Sequence, residues 1–273
     1  MVPSSSIVFM VISGIISCGL PVLAFLIINK RIKLDIIPLL VGCAAFFVFA
    51  LILESGLHAL VLKPGPDGSI ALISKNPILY ILYGIFAAGI FEETARFLSF
   101  SLLKKKHHGI NTAISYGIGH GGIECIMLVG LAMASNIVIA IMINTGSIGL
   151  LGNMVPTELL VDPLVDTAPA MFLVAGVERI FAFTFHIALS IIVWTAVNYR
   201  GMKWLYPVAI CMHAVFNIPA AAMQAGLIES LVLVEVLCAL GAIVSIAIAI
   251  FITKKMKTVS EDTKNSVAVM HQD

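Results

Sequence analysis

Ionisable residues inside long apolar runs are the first feature that needs explaining. Glu92, Glu93 and Arg96 lie in "GIFEETARFLSF", and His120 and Glu124 in "GIGHGGIECIM". Glu178, Arg179 and His186 lie in "GVERIFAFTFHIALS", and His213 and Asn217 in "CMHAVFNIPA". The pairs 92/96, 120/124, 186/190 and 213/217 are four residues apart, so each pair shares one face of a helix. Arg179 and His186, seven apart, also share a face. A carboxylate beside imidazoles supports two chemistries. A glutamate can take a proton from water while histidine and asparagine donate to a developing oxyanion. Alternatively, histidines and a carboxylate can bind zinc, which supplies the activated water.

The segments that carry these residues are too apolar for a soluble domain. The 273-residue chain is 60% hydrophobic and 11% charged, with mean hydropathy +1.08. These values predict an all-α, polytopic membrane helix bundle. Seven spans are expected: Ile7–Ile28, Ile36–Leu62, Pro77 to just before "KKKHH", Asn111–Ile143, Pro169–Val197, Trp204–Met223 and Gly226–Ile252. Gly119, Gly121 and Gly122 invite a break in the fourth span and permit close approach of a neighbour. Residues 1–253 form a single transmembrane catalytic domain in this reading, and 254–273 a short, unstructured cytoplasmic tail. The first run lacks a basic leader and a cleavage site, so it reads as a retained helix. The five cysteines show no CxxC and no paired framework, which indicates neither a disulfide scaffold nor a thiolate metal site.

Basic residues assign a direction. "NKRIK", "KKKHH", "YRGMK" and "KKMK" follow spans one, three, five and seven, whereas the 144–168 connection is acidic. This alternation predicts an amino terminus outside and a carboxyl terminus in the cytoplasm of a multi-pass cell-membrane protein. Counting from the basic borders then gives depth. Glu92 lies 12 residues before Lys104, His120 12 after His108, His186 14 before Arg200 and His213 10 after Lys203. All four fall roughly 15–20 Å from the cytoplasmic ends of four helices at helical rise. Ionisable groups at such depth face a bundle interior or a wet cavity.

Each residue alone has a plainer reading. Glu92 and Arg96 could be a structural ion pair, Glu93 a hydrogen-bonding group and His213 a packing histidine. Asn217 and Ser190 would ordinarily bond between helices. Glu54, Glu229 and Glu235 read as structural or outer-loop residues, and His58, His107, His108 and His271 carry no assignment. Together, three histidines and a carboxylate in one layer outweigh four separate accidents.

The pattern resembles the CAAX-protease and bacteriocin-processing superfamily of glutamic-type intramembrane proteases, most closely its YhfC-like branch. Its paired-glutamate and arginine motif falls on Glu92, Glu93 and Arg96. Its aromatic-x-x-x-His motif falls on Tyr116 and His120, and its His-x-x-x-Asn motif on His213 and Asn217. The resemblance implies Glu92 as catalytic glutamate, His120 as water-activating histidine, and His213 with Asn217 as the oxyanion site. "EETAR" has two residues between the second glutamate and the arginine, where the superfamily pattern has three. Arg96 is therefore expected to pair with Glu92. The YhfC-like branch resembles this chain at "GVERIFAFTFHIALS" too, which leaves open whether His120 or His186 activates the water. The aromatic spacing and the surrounding glycines favour His120, with His186 supporting it or serving as a further site ligand.

The expected function is an intramembrane peptidase acting on a membrane-embedded or membrane-delivered peptide, with its water cavity opening on the cytoplasmic side. Lacking HExxH and with ligands scattered over four helices, the chain favours the metal-free scheme and no cofactor, with zinc as the alternative. A proton- or metal-ion-coupled transporter is a different class. It would need a polar route to the outer face, where most outer halves read as apolar, although Glu124 and Glu178 could extend one. Nothing in the sequence suggests nucleic-acid binding.

Overall fold

The computed structural model describes residues 1–65, 68–151 and 157–270. Among these it contains seven helices long and apolar enough to cross a membrane, and no strand. They are α1 (Ser4–Asn29), α2 (Ile36–Leu62), α3 (Pro77–Leu103), α4 (Ile110–Asn144), α5 (Pro169–Asn198), α6 (Leu205–Gln224) and α7 (Leu231–Met270). The protein is a multi-pass membrane helix bundle, as the apolar runs predict. Its outer faces present Val8, Val22, Leu26 and Phe251 to the surroundings, which suits lipid and not water.

Local chemistry sets the helix starts. Asp35 caps α2 by accepting from the Ile37 amide at 3.1 Å, and Asn76 caps α3 from the Leu79 amide at 3.0 Å. Pro77 and Pro169 occupy first-turn positions, where a missing amide costs nothing. Gly226, at φ +71°, ends α6, so α7 begins at Leu231 and not at Gly226. The helical backbone of α7 continues to Met270, whereas the sequence reading leaves the tail unstructured. Extending a helix already nucleated needs only one residue ordered per added bond. Residues 271–273 lie outside the described ones.

Helix α4 is not broken at its glycines. It runs through them and widens just beyond into a π-helical stretch, Cys125–Gly130. A second such stretch, Phe47–Glu54, interrupts α2. The glycines serve close packing instead. A Cβ on Gly119 would run into the Leu39 carbonyl of α2, and one on Gly117 would lie 2.7 Å from the Ile187 Cα of α5. These contacts seat α4 between α2 and α5. Gly119→Ala is expected to destabilise the bundle by about 1–3 kcal/mol, the usual cost of overpacking. Thermal unfolding in detergent checks this, and an unchanged midpoint would contradict the packing.

Helix α1 buries a single stripe, Ser6, Met10, Ser13, Ser17 and Pro21. Its small residues let α1 approach α5, where Ser13 donates to the Phe172 carbonyl. The largest apolar core joins α3, α4, α5, α6 and α7 with Ala45 of α2, running from Leu103 and Leu205 near the basic loops to Val234 near the opposite end. Phe100 packs there against Tyr116 and Trp194, with ring centroids 4.7 and 5.2 Å apart. This aromatic layer lies directly below the polar residues.

Candidate active site

Four helices bring Glu92, His120, His186 and His213 together. All four side chains are buried. Glu92 of α3 points towards α4 and α5. Its Oε2 lies 2.8 Å from His120 Nε2 and 3.9 Å from His186 Nδ1, while its Oε1 lies 3.8 Å from His213 Nε2. Glu93 is one residue on, about 100° around the helix, and so faces α6. Its Oε1 accepts from His213 Nδ1 at 2.8 Å and from Arg96.

Arg96 corrects one expectation. It bonds Glu93, three residues earlier, and not Glu92. Both glutamates are within helical reach, and the other helices decide between them. Glu92 is turned to His120, while the second arm of the guanidinium meets His186 Nδ1 at 3.0 Å. A guanidinium only donates. His186 Nδ1 therefore accepts, and its proton sits on Nε2, 2.6 Å from Glu124 Oε2. Arg179 NH1 in turn donates to Glu124 Oε1 at 2.7 Å and also binds Glu178. Asn217 stands one turn from His213, half-buried in the chamber wall, with no hydrogen-bond partner among the described residues.

Glu92, Glu124, His186, His213 and Asn217 line the inner end of a cavity of about 530 Å³, with His120 buried behind Glu92. Its wall continues through Glu54, His58, Glu178 and Arg179 to Leu62, Ile70, Tyr80 and Gln224. The last four mark the bundle end opposite the basic loops, so the cavity opens away from the side that sequence reasoning expects. Towards the basic end the Phe100–Tyr116–Trp194 layer closes it. The inner faces of the outer halves are also more polar than the sequence suggests. His58, given no role by sequence, bonds Tyr83 at 2.9 Å and Glu54 at 3.2 Å in this wall. Glu54 ends one π-helical stretch and Glu124 directly precedes the other. Such stretches shift the residues around them out of the regular helical register. No signal in a 3.6-residue period announces that shift.

The donor set fits a metal. Glu92, His120 and His186 each offer one ligand atom, all within 4.8 Å of one another. Two imidazoles and a glutamate form a known catalytic zinc set. The Glu124–His186 contact is the carboxylate–histidine pairing that fixes the tautomer of a metal-binding imidazole, and it leaves Nδ1, here accepting from Arg96, as the nitrogen that would turn to an ion. His120 Nδ1 is buried without a hydrogen-bond partner among the described residues, leaving that ring unanchored on its second nitrogen.

Comparison with known proteins adds an independent finding. The profile of a family described as YhfC intramembrane metalloprotease matches residues 16–238. The chain is 36% identical over 251 residues to a membrane protein YhfC of Bacillus subtilis (strain 168). That alignment covers 90% of this chain and 96% of the relative. No solved structure gives a significant match.

Proposed function

The chain belongs to the YhfC family, described as intramembrane metalloproteases, and on that premise we propose that it is a metal-dependent intramembrane peptidase. The observation that carries this reading is the convergence of Glu92, His120 and His186 within 4.8 Å, with Glu92 and His186 lining the closed end of the cavity. The description of the family and this donor set together favour zinc over the metal-free scheme that the scattered motifs suggest.

Glu92 Oε2, His120 Nε2 and His186 Nδ1 would hold the ion once Nδ1 gives up its contact with Arg96, and the bound ion would supply Lewis-acid polarisation and an activated water. The residues of the chain do the rest. Glu92 Oε1, the oxygen turned to His213, takes the proton that water gives up and passes it to the leaving amine. His213, protonated on both nitrogens against Glu93, donates Nε2–H to the oxyanion, and Asn217 donates beside it. Glu93 orients His213, Arg96 holds Glu93, and Glu124 holds the His186 tautomer. The substrate is a membrane-embedded or membrane-delivered peptide.

The alternation of basic loops supports an outside amino terminus, which places the mouth of the cavity outside and the aromatic floor towards the cytoplasm. A transporter reading has the extended polar wall in its favour. It lacks an exit, because Phe100, Tyr116 and Trp194 are buried and close the inner end.

Metal analysis of the purified protein, with cleavage of a library of membrane peptides, tests the proposal. Stoichiometric zinc, lost in His120→Ala, and cleavage stopped by a chelator are the expected results. Cleavage that persists without metal would return the chemistry to Glu92 and water alone. Transport without cleavage would overturn the peptidase reading.

A further inference from the structure

We propose that the apolar groove between α6 and α7 admits a membrane-spanning segment of the substrate to the chamber, with Phe216 as the movable part of the wall. This rests on the peptidase reading above. The groove measures about 570 Å³ and is lined by Val215, Phe216, Pro219, Leu240, Val244 and their apolar neighbours. Val215, Leu240 and Val244 are exposed on the lipid side, Val215 by 64%. Phe216 lines both this groove and the polar chamber. By contrast, the apolar groove among α1, α2 and α4 shares no lining residue with the chamber.

Only two rings separate the α6–α7 groove from the histidines. Phe216 stacks on Phe185 at 4.0 Å and 9°. Phe185 meets His186 and His213 edge-on, at 5.7 and 5.6 Å. No hydrogen bond fixes the Phe216 ring, so a rotamer change costs it packing alone. Opposite stands Gly241 of α7, where a Cβ would come within 2.9 Å of Phe216 Cδ2. The ring therefore rests on bare backbone.

The groove also offers a backbone acceptor. Pro219 lies inside α6 and has no amide to bond the Val215 carbonyl one turn earlier. A peptide unwinding for hydrolysis must satisfy its own amides, and extended backbone is tolerated at membrane depth only against protein or a wet cavity. The Val215 carbonyl lies where such a strand would need a partner. The polar mouth at the far end suits water, and an apolar segment coming from lipid meets the groove first.

Two peptide probes and two carbodiimides test the route. The peptides are a lysine-flanked spanning peptide of about 20 apolar residues and a water-soluble peptide with the same central residues. The carbodiimides, one lipid-soluble and one water-soluble, label Glu92 and are read by mass spectrometry. Val215→Trp, on the lipid face, is expected to lower spanning-peptide cleavage and lipid-soluble labelling by about tenfold, the scale of exclusion from an apolar pocket. Soluble-peptide cleavage and water-soluble labelling should persist. Phe216→Ala should raise lipid-soluble labelling, and Leu26→Trp in the other groove should change nothing. Lipid-soluble labelling unaffected by both Val215→Trp and Phe216→Ala, or lowered only by Leu26→Trp, would overturn the route. If the native protein cleaves neither peptide, the peptidase reading fails, while labelling alone still decides the route.

Discussion

Glu92→Gln is expected to yield a folded, inserted protein whose peptide-bond cleavage falls by about 10²–10⁴-fold, the contribution of a positioned general base. The amide matches the carboxylate in size and keeps an oxygen for the His120 contact at 2.8 Å. What it loses is specific. An amide carries no negative charge to share with His120 and His186 in a metal set, and it does not accept a proton from water. Both proposed duties, at Oε2 and Oε1, therefore fail together, and zinc content should fall with activity. Measuring both separates the roles: full zinc with no cleavage would leave Glu92 as base alone, and cleavage at the native rate would remove it from the chemistry. Glu93 is turned to Arg96 and His213 through its Oε1 and so is held on the α6 side, away from the place of Glu92.

Much of this site is legible in sequence because two simple rules act on it. Apolar runs of membrane length define the spans, and basic borders plus a fixed rise per residue define depth. Glu92, His120, His186 and His213 meet because the four counts from those borders nearly agree. Features set by contacts between helices are not legible in this way. Arg96 can reach either preceding glutamate along its own helix, and His186 on α5 helps decide the outcome. The glycines of α4 look like breakers in isolation. Only the position of Leu39 shows that they are sites of close approach. The direction of the cavity was hidden for another reason. Glu54 and His58 line it from beside a π-helical stretch, and hydropathy does not reveal which face of an apolar run is turned inward.

Arg96→Met should have the largest effect on stability. Arg96 and Glu93 are both fully buried, and their mutual attraction offsets the cost of taking two charges out of water. Removing the cation leaves Glu93 charged in an apolar setting with His213 as its remaining partner, at an expected cost of about 3–5 kcal/mol. Lysine is a poor replacement, since one compact ammonium does not span from Glu93 to His186 as a guanidinium does. Adding Glu93→Gln to Arg96→Met should recover much of the lost stability, because the stranded charge is gone. Activity should stay low in that double variant, because His213 loses the anion that holds its second proton. Thermal unfolding in detergent, run with the cleavage assay, measures both. A single variant as stable as the native protein would mean that the pair does not hold the site together. Stability regained without activity is the result expected of an ion pair whose geometry serves the histidines on either side of it.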